Sequence, residues 1–117
     1  MSYDRIGVIG AMDSELAALI AALTQPAQET VQGLVFHTGR LGAREVVLVR
    51  CGIGKVSAAR CTQVLIDRFA PGAVINTGIA GGLASGLAVG DIVVADGLVQ
   101  HDFDAAPIGF VRGCVCM

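Results

Sequence analysis

Three places in this sequence gather residues whose types and spacing could do chemistry. The first is Glu15, which follows the short apolar run Arg5–Gly10 (RIGVIG) with Asp13 two positions before it. A carboxylate in the first turn of a helix is favoured in its ionised form, while partial burial raises its pKa. Its i+4 neighbour is Leu19, which sets the carboxylate at the edge of an apolar stripe. That placement suits a general base acting on water. It also describes a capping carboxylate on a solvated first turn with Asp13 as partner, and from spacing alone capping is the simpler reading.

The second place is Asn76-Thr77-Gly78-Ile79-Ala80-Gly81-Gly82, directly after an apolar run. Small residues there let backbone N–H groups approach a ligand closely. Connections of about a dozen residues inside a compact domain are usually functional or disordered, which favours ligand contact. The third is Gly52-Ile53-Gly54-Lys55. A phosphate loop needs glycine where Val49 stands and Ser or Thr where Val56 stands, and a dinucleotide fingerprint needs glycine where Ser57 stands. All three tests fail, so a tight strand-to-helix turn is the better reading. His101-Asp102-Phe103-Asp104 sets a histidine beside two carboxylates, but no Ser or Cys lies in a recognisable nucleophile elbow. A polar strand end or a subunit contact is preferred there, and His37 reads as a core or edge histidine of a strand.

The elements that must position these groups follow from the apolar pattern. Arg5–Gly10 reads as a buried strand. Asp13 reads as the N-cap of a helix carrying Leu16, Leu19, Ile20 and Leu23 at i, i+3, i+4 and i+7, which stops before Pro26. Leu34–Thr38 and Glu45–Cys51 read as two strands joined by a turn. Lys55–Phe69 reads as a second helix with Arg60, Gln63 and Asp67 outward and Ala58, Cys61 and Leu65 inward, broken by Pro71-Gly72. Ala73–Thr77 and Asp91–Gln100 read as two further strands, and the tail from His101 has no assignable element. Strands alternating with helices imply an α/β fold. Ligands in such sheets bind at the carboxyl ends of the strands, where the loops 10–15, 52–55 and 78–82 fall.

Composition narrows the function classes. The 117 residues are 54% hydrophobic and 15% charged, with net charge −2 and mean hydropathy +0.70. A basic face for nucleic acid is therefore not expected, and Phe36, Phe69, Phe103 and Phe110 are too scattered to stack bases. The uncharged stretch from Phe69 to Gly90 is long enough to span a bilayer, but Pro71, Asn76, Thr77 and six glycines break it up. It reads as strand, turn, loop and strand buried in protein. Met1–Arg5 is polar and Ile6–Ile9 is too short for a signal-peptide core, so a cytoplasmic protein with reduced thiols is expected. Cys51 and Cys61 read as small core residues. Cys114 and Cys116 lack two further ligands at zinc spacing, so no metal is expected.

Taken together, Gly7–Glu15 (GVIGAMDSE), Cys51–Lys55, Val74–Gly82, Val89–Val94 and His101-Asp102 resemble the N-terminal half of the 5′-methylthioadenosine/S-adenosylhomocysteine nucleosidases of the nucleoside phosphorylase/nucleosidase superfamily. The likeness runs from about Arg5 to Gly113. It implies a three-layer α/β/α sandwich around a central mixed sheet, incomplete in this chain, as one shortened domain over residues 1–117. The activity it implies is hydrolysis of the N-glycosidic bond of an adenosine thioether, releasing adenine and a thioribose, in methionine salvage and without a cofactor.

The resemblance places the general base at Glu15 and the ribose side of the pocket at Met12. Ala80 and Gly81 would contact ribose and adenine. Ile79 would stand where many members carry a serine that helps place the water, leaving its backbone N–H as a donor. Ile53 would lie at the subunit interface near the partner's site, and Ile108 would close the partner's 5′-alkylthio pocket in a homodimer. The ribose-binding Met-Glu pair, the adenine-stacking aromatic and the leaving-group acid of the family pattern lie beyond this chain, so the chain by itself is expected to be inactive. Superfamily alternatives are a purine or uridine phosphorylase, or a futalosine or AMP nucleosidase. Two carboxylates and no arginine in Gly10–Glu15 favour water over phosphate as nucleophile. An alternative of another class is a non-catalytic half-domain that binds nucleosides.

Overall fold

The computed structural model describes residues 4–113, so Cys114 and Cys116 lie outside the described residues. The chain forms two compact units that divide between Gly81 and Gly82. The first holds β1 (Arg5–Gly10), α1 (Asp13–Ala21), β2 (Thr24–Val31), β3 (Leu34–Leu41), β4 (Arg44–Arg50), α2 (Lys55–Phe69) and β5 (Ala73–Asn76). Its sheet has the order β2-β3-β4-β1-β5. β1 runs parallel to both β4 and β5, while β2, β3 and β4 form an antiparallel meander. The sheet is therefore mixed, as expected.

The apolar strands are continuous because both faces are covered. Along β4, Val47 and Val49 pack with Ile9, Leu34 and Phe36 against Cys61, Val64, Leu65 and Phe69 of α2. Val46 and Leu48 alternate to the other face and pack with Val8 against Leu16 of α1 and Leu23 just beyond it. One helix thus covers each face, in the three-layer arrangement. Packing is close where α2 crosses β1. A Cβ on Gly7 would come 2.6 Å from Leu65 Cδ2. Gly7→Ala is expected to cost about 1–3 kcal/mol through overpacking, read as a lower urea midpoint; an unchanged midpoint would disprove the contact.

Cys51 and Cys61 are both buried, as read from their apolar surroundings. Burial, and then the neighbouring Cys51 thiol, push the Cys61 thiol up to about 11. At pH about 8 only about one Cys61 in a thousand is then thiolate. Peptide mapping after iodoacetamide treatment should find Cys61 unmodified in the native chain and modified in urea; equal labelling in both would contradict its burial.

One strand forms that was not expected, one expected strand is absent, and the stretch from Phe69 to Gly90, read as buried, is mostly exposed. The polar stretch before Leu34 is a strand, β2, that contains Pro26. β2 is an edge strand with a register shift between Thr24 and Ala27, which is where a residue without an N–H is tolerated. Gln32 and Gly33, with φ of 50° and 77°, turn the chain into β3 with the handedness that suits a two-residue hairpin. The second correction lies in the other unit, residues 82–113. The strand expected over Asp91–Gln100 is absent, and no strand forms among the described residues of this unit. A strand needs a partner for its backbone groups, and this unit supplies none. Leu83, Val89, Ile92 and Leu98 are each at least nine-tenths exposed, the apolar surface that the low charge content anticipates. A short 3₁₀ turn, Ala106–Ile108, follows.

Candidate active site

The site begins where β1 ends. After Gly10 the chain takes an extended step through Met12, which has φ −127° and ψ 155° and is the N-cap of α1. Asp13 is therefore the first helical residue and not the cap expected of it. Its carboxylate instead meets the Arg50 guanidinium at the end of β4, 3.1 Å away. Glu15 is the third helical residue, and its side chain folds back so that the Met12 N–H donates to Oε2 at 2.9 Å. The Glu15 N–H in turn donates to the Met12 carbonyl at 3.2 Å. Met has no side-chain oxygen, so the glutamate itself supplies the carboxylate half of a capping box.

A second strand end reaches the same carboxylate. β5 lies beside β1, and the Thr77 N–H carries their pairing one step further by donating to the Ile9 carbonyl at 3.0 Å. The chain runs on through Gly78, and the Ile79 N–H donates to Glu15 Oε1 at 3.2 Å. Both carboxylate oxygens thus accept a backbone donor from different strand exits. The Glu15 pKa is lowered, first by the Met12 N–H and also by the Ile79 and Ala11 N–H groups, against an opposing effect of burial. The group is held as an anion with lone pairs to spare, so it can accept a proton from water.

Of the residues singled out from sequence, Met12 and Ile79 touch Glu15 through their backbones, while the Ile79 side chain is 82% exposed. Ala80 and Gly81 follow in the same loop and are exposed. Ile53 stands exposed between Gly52 and Gly54, whose φ of 83° and 101° fit the strand-to-helix turn read from sequence. The Cys51 N–H donates to the Gly10 carbonyl at 2.8 Å, which ties this turn to the end of β1. Ile108 lies exposed in the 3₁₀ turn of the second unit, where His101 and Asp102 also form an exposed turn.

A cavity of about 360 Å³ lies beside the first turn of α1, lined in part by Asp13, His37, Arg50 and Cys51. His37 Nδ1 lies 3.1 Å from Gln28 Nε2 across the β2–β3 pair, a partnered histidine on an inner strand. Among the described residues, no group of three His, Cys, Asp or Glu side chains could hold a metal, and no helix is long and apolar enough to cross a membrane. Sequence reading missed Gly78 and Arg50. Gly78 was signalled only as one glycine among many, and Arg50 only as a charge closing an apolar run.

A family model described as the phosphorylase superfamily matches residues 5–114. The chain belongs to the phosphorylase superfamily. Among curated members of this superfamily that it resembles is a 5′-methylthioadenosine/S-adenosylhomocysteine nucleosidase of Shewanella pealeana, 45% identical over 109 residues, covering 93% of this chain and 47% of the relative. Its counterpart from Shewanella putrefaciens is 48% identical over the same shares of each.

Solved structures of superfamily members agree. The S-adenosylhomocysteine nucleosidase of Streptococcus pyogenes, in complex with 5-methylthiotubericidin, superposes with a TM-score of 0.93 at 44% identity, over 98% of this chain and 49% of that one. The nucleosidase of Colwellia psychrerythraea, in complex with adenine, gives 0.94 at 44% identity over 97% and 47%. The chain spans about half the length of the curated relatives it matches. The mixed five-stranded sheet of this chain thus matches those nucleosidase structures over about half of their length.

Proposed function

We propose that a protein of full family length carrying this segment hydrolyses the N-glycosidic bond of 5′-methylthioadenosine and S-adenosylhomocysteine, yielding adenine and a thioribose. The observation that carries this reading is the Glu15 carboxylate, anionic and held by backbone donors at the adjoining ends of β1 and β5. Carboxyl ends of strands are where ligands of α/β sheets bind. The names of its relatives, and the adenine and 5-methylthiotubericidin bound by two of them, support the substrate class.

In this reading water adds to the anomeric carbon of the ribose as its bond to adenine breaks. Glu15 takes the proton that the water loses, and the departing base takes one from an acid outside this chain. Cleavage through a cation-like sugar carbon makes light demands on the nucleophile, so a carboxylate below the ordinary glutamate range is base enough. Met12 lines the ribose side, and Ala80 and Gly81 approach ribose and adenine. The Ile79 N–H fixes the base and its side chain supplies no hydroxyl to the water. Ile53 and Ile108 face the partner's pocket in a homodimer. The enzyme works in the cytoplasm on a small molecule, without a cofactor and with no role for nucleic acid or membrane.

Water rather than phosphate fits the local charge. Asp13 and Glu15 flank the nucleophile's approach, and Arg50 is engaged by Asp13. An anionic nucleophile meets repulsion there, whereas water is activated. The deciding assay follows adenine release from 5′-methylthioadenosine with and without inorganic phosphate. Release at one rate in both is expected. A rate that requires phosphate and gives a ribose 1-phosphate would replace this reading with a phosphorylase, and tight nucleoside binding without release would leave only a binding module.

A further inference from the structure

We propose that Gly78 is a positioning residue for Glu15: its bare Cα leaves the space that Oε1 occupies, and the peptide it shares with Ile79 presents the N–H that fixes that oxygen. The space is measurable. A Cβ built on Gly78 would lie 3.0 Å from Glu15 Oε1 and 3.5 Å from its carboxyl carbon. That is closer than an alanine there would ordinarily approach, and the atoms that must give way belong to the carboxylate itself. Gly78 lacks the positive φ that several other glycines adopt, so no turn geometry demands glycine here and the close approach is left as the reason.

The carboxylate cannot yield cheaply, because its other oxygen is held by the Met12 N–H at 2.9 Å. A methyl at position 78 therefore stretches or breaks the 3.2 Å bond from Ile79. Asp13, the nearest acid on α1, is paired with Arg50 of β4, and the lowering of the Glu15 pKa comes from backbone N–H groups alone. The kinetic part of this inference rests on the nucleosidase reading, whereas its geometric part stands without it.

The test follows the Ile79 amide proton of the chain by NMR from about pH 3 to about pH 7. In the wild type this resonance should titrate together with the Met12 amide, at a midpoint below the ordinary glutamate range. Glu15→Gln should abolish both transitions, which assigns them. Gly78→Ala should shrink the Ile79 transition and raise its midpoint, while β5 amide shifts report that the strand is intact. In a protein of full family length, Gly78→Ala should lower kcat about 10–100-fold with KM little changed.

An Ile79 amide that does not titrate in the wild type overturns the inference whether or not the variant folds. So does a Gly78→Ala titration that coincides with the wild type. If Gly78→Ala moves the titration and the full-length protein releases no adenine, the seat stands and the nucleosidase reading falls. If adenine is released and the titration is unmoved, the reading stands and the seat falls.

Discussion

Replacing Glu15 by glutamine in a protein of full family length is expected to lower kcat by about 10²–10⁴-fold, the usual contribution of a general base. The substitution is nearly isosteric, and the amide oxygen can still accept one of the two backbone N–H bonds that reach this side chain from Met12 and Ile79. The site should thus remain assembled, substrate binding should change little, and the loss should fall on kcat. The pH profile gives an independent check. Because backbone donors lower the Glu15 pKa, the base stays ionised through the ordinary glutamate range as pH falls. The acid limb of the wild-type rate should then begin only below that range, and it should vanish in the variant. A Glu15→Gln protein with wild-type turnover would remove the base from this residue.

Truncating Phe36 to alanine should be the most damaging single change to the fold. Phe36 is fully buried near the start of β3, and its ring packs against Phe69 at the end of α2, with centroids 4.8 Å apart and planes tilted by 43°. Together with Leu34, Val47 and Val49 it fastens the meander to α2. Removing a buried phenylalanine costs about 3–5 kcal/mol, against a total stability of about 5–15 kcal/mol for an ordinary domain. The variant should lose most of its urea stability, seen as a collapse of the midpoint or of the cooperative transition. Phe36→Leu, which keeps most of the volume, should lose much less. A Phe36→Ala unfolding free energy within about 1 kcal/mol of the wild type would show that the meander is held elsewhere.

Legibility in the sequence followed burial. β1 and α2 fell close to their expected limits because their apolar residues are packed in the core, and β5, though largely exposed, was marked by its short apolar run after Pro71-Gly72. β2 was invisible for the opposite reason. Its residues TQPAQETV are almost all exposed, and an edge strand of that kind is specified by the hairpin that presents it, not by an apolar pattern of its own. Asp91–Gln100 erred the other way, since Ile92, Val93 and Val94 carry strong strand propensity but find no ladder within their unit. Propensity describes how well a residue fits a pleated surface that already exists.

The candidate site divides along the same line. Glu15 could be found, since its type and its place after a strand both carry information. Its capping by Met12 was half legible: the capping role was read, and Asp13 was wrongly given as the partner. The donor from Ile79 is reached only through the family resemblance, because a backbone N–H has no signature in the one-letter code. Gly78 was hidden by company, one of several small residues in a run where only one has a carboxylate against its Cα.

The bond between Ile79 and Glu15 joins positions 64 residues apart, whereas β2, β3 and β4 are connected by two tight hairpins. Closing such hairpins loses little chain entropy, and bringing distant segments together loses more. The meander can therefore form early from local contacts, and the base acquires its final surroundings only when the four residues of β5 settle beside β1. The same order runs backwards in the native state. A brief detachment of so short an edge strand frees the carboxylate while the rest of the sheet stays closed. The seating of the Glu15 carboxylate is then a property of the last and most easily lost step of this unit's assembly, one that a measure of secondary structure alone would not register.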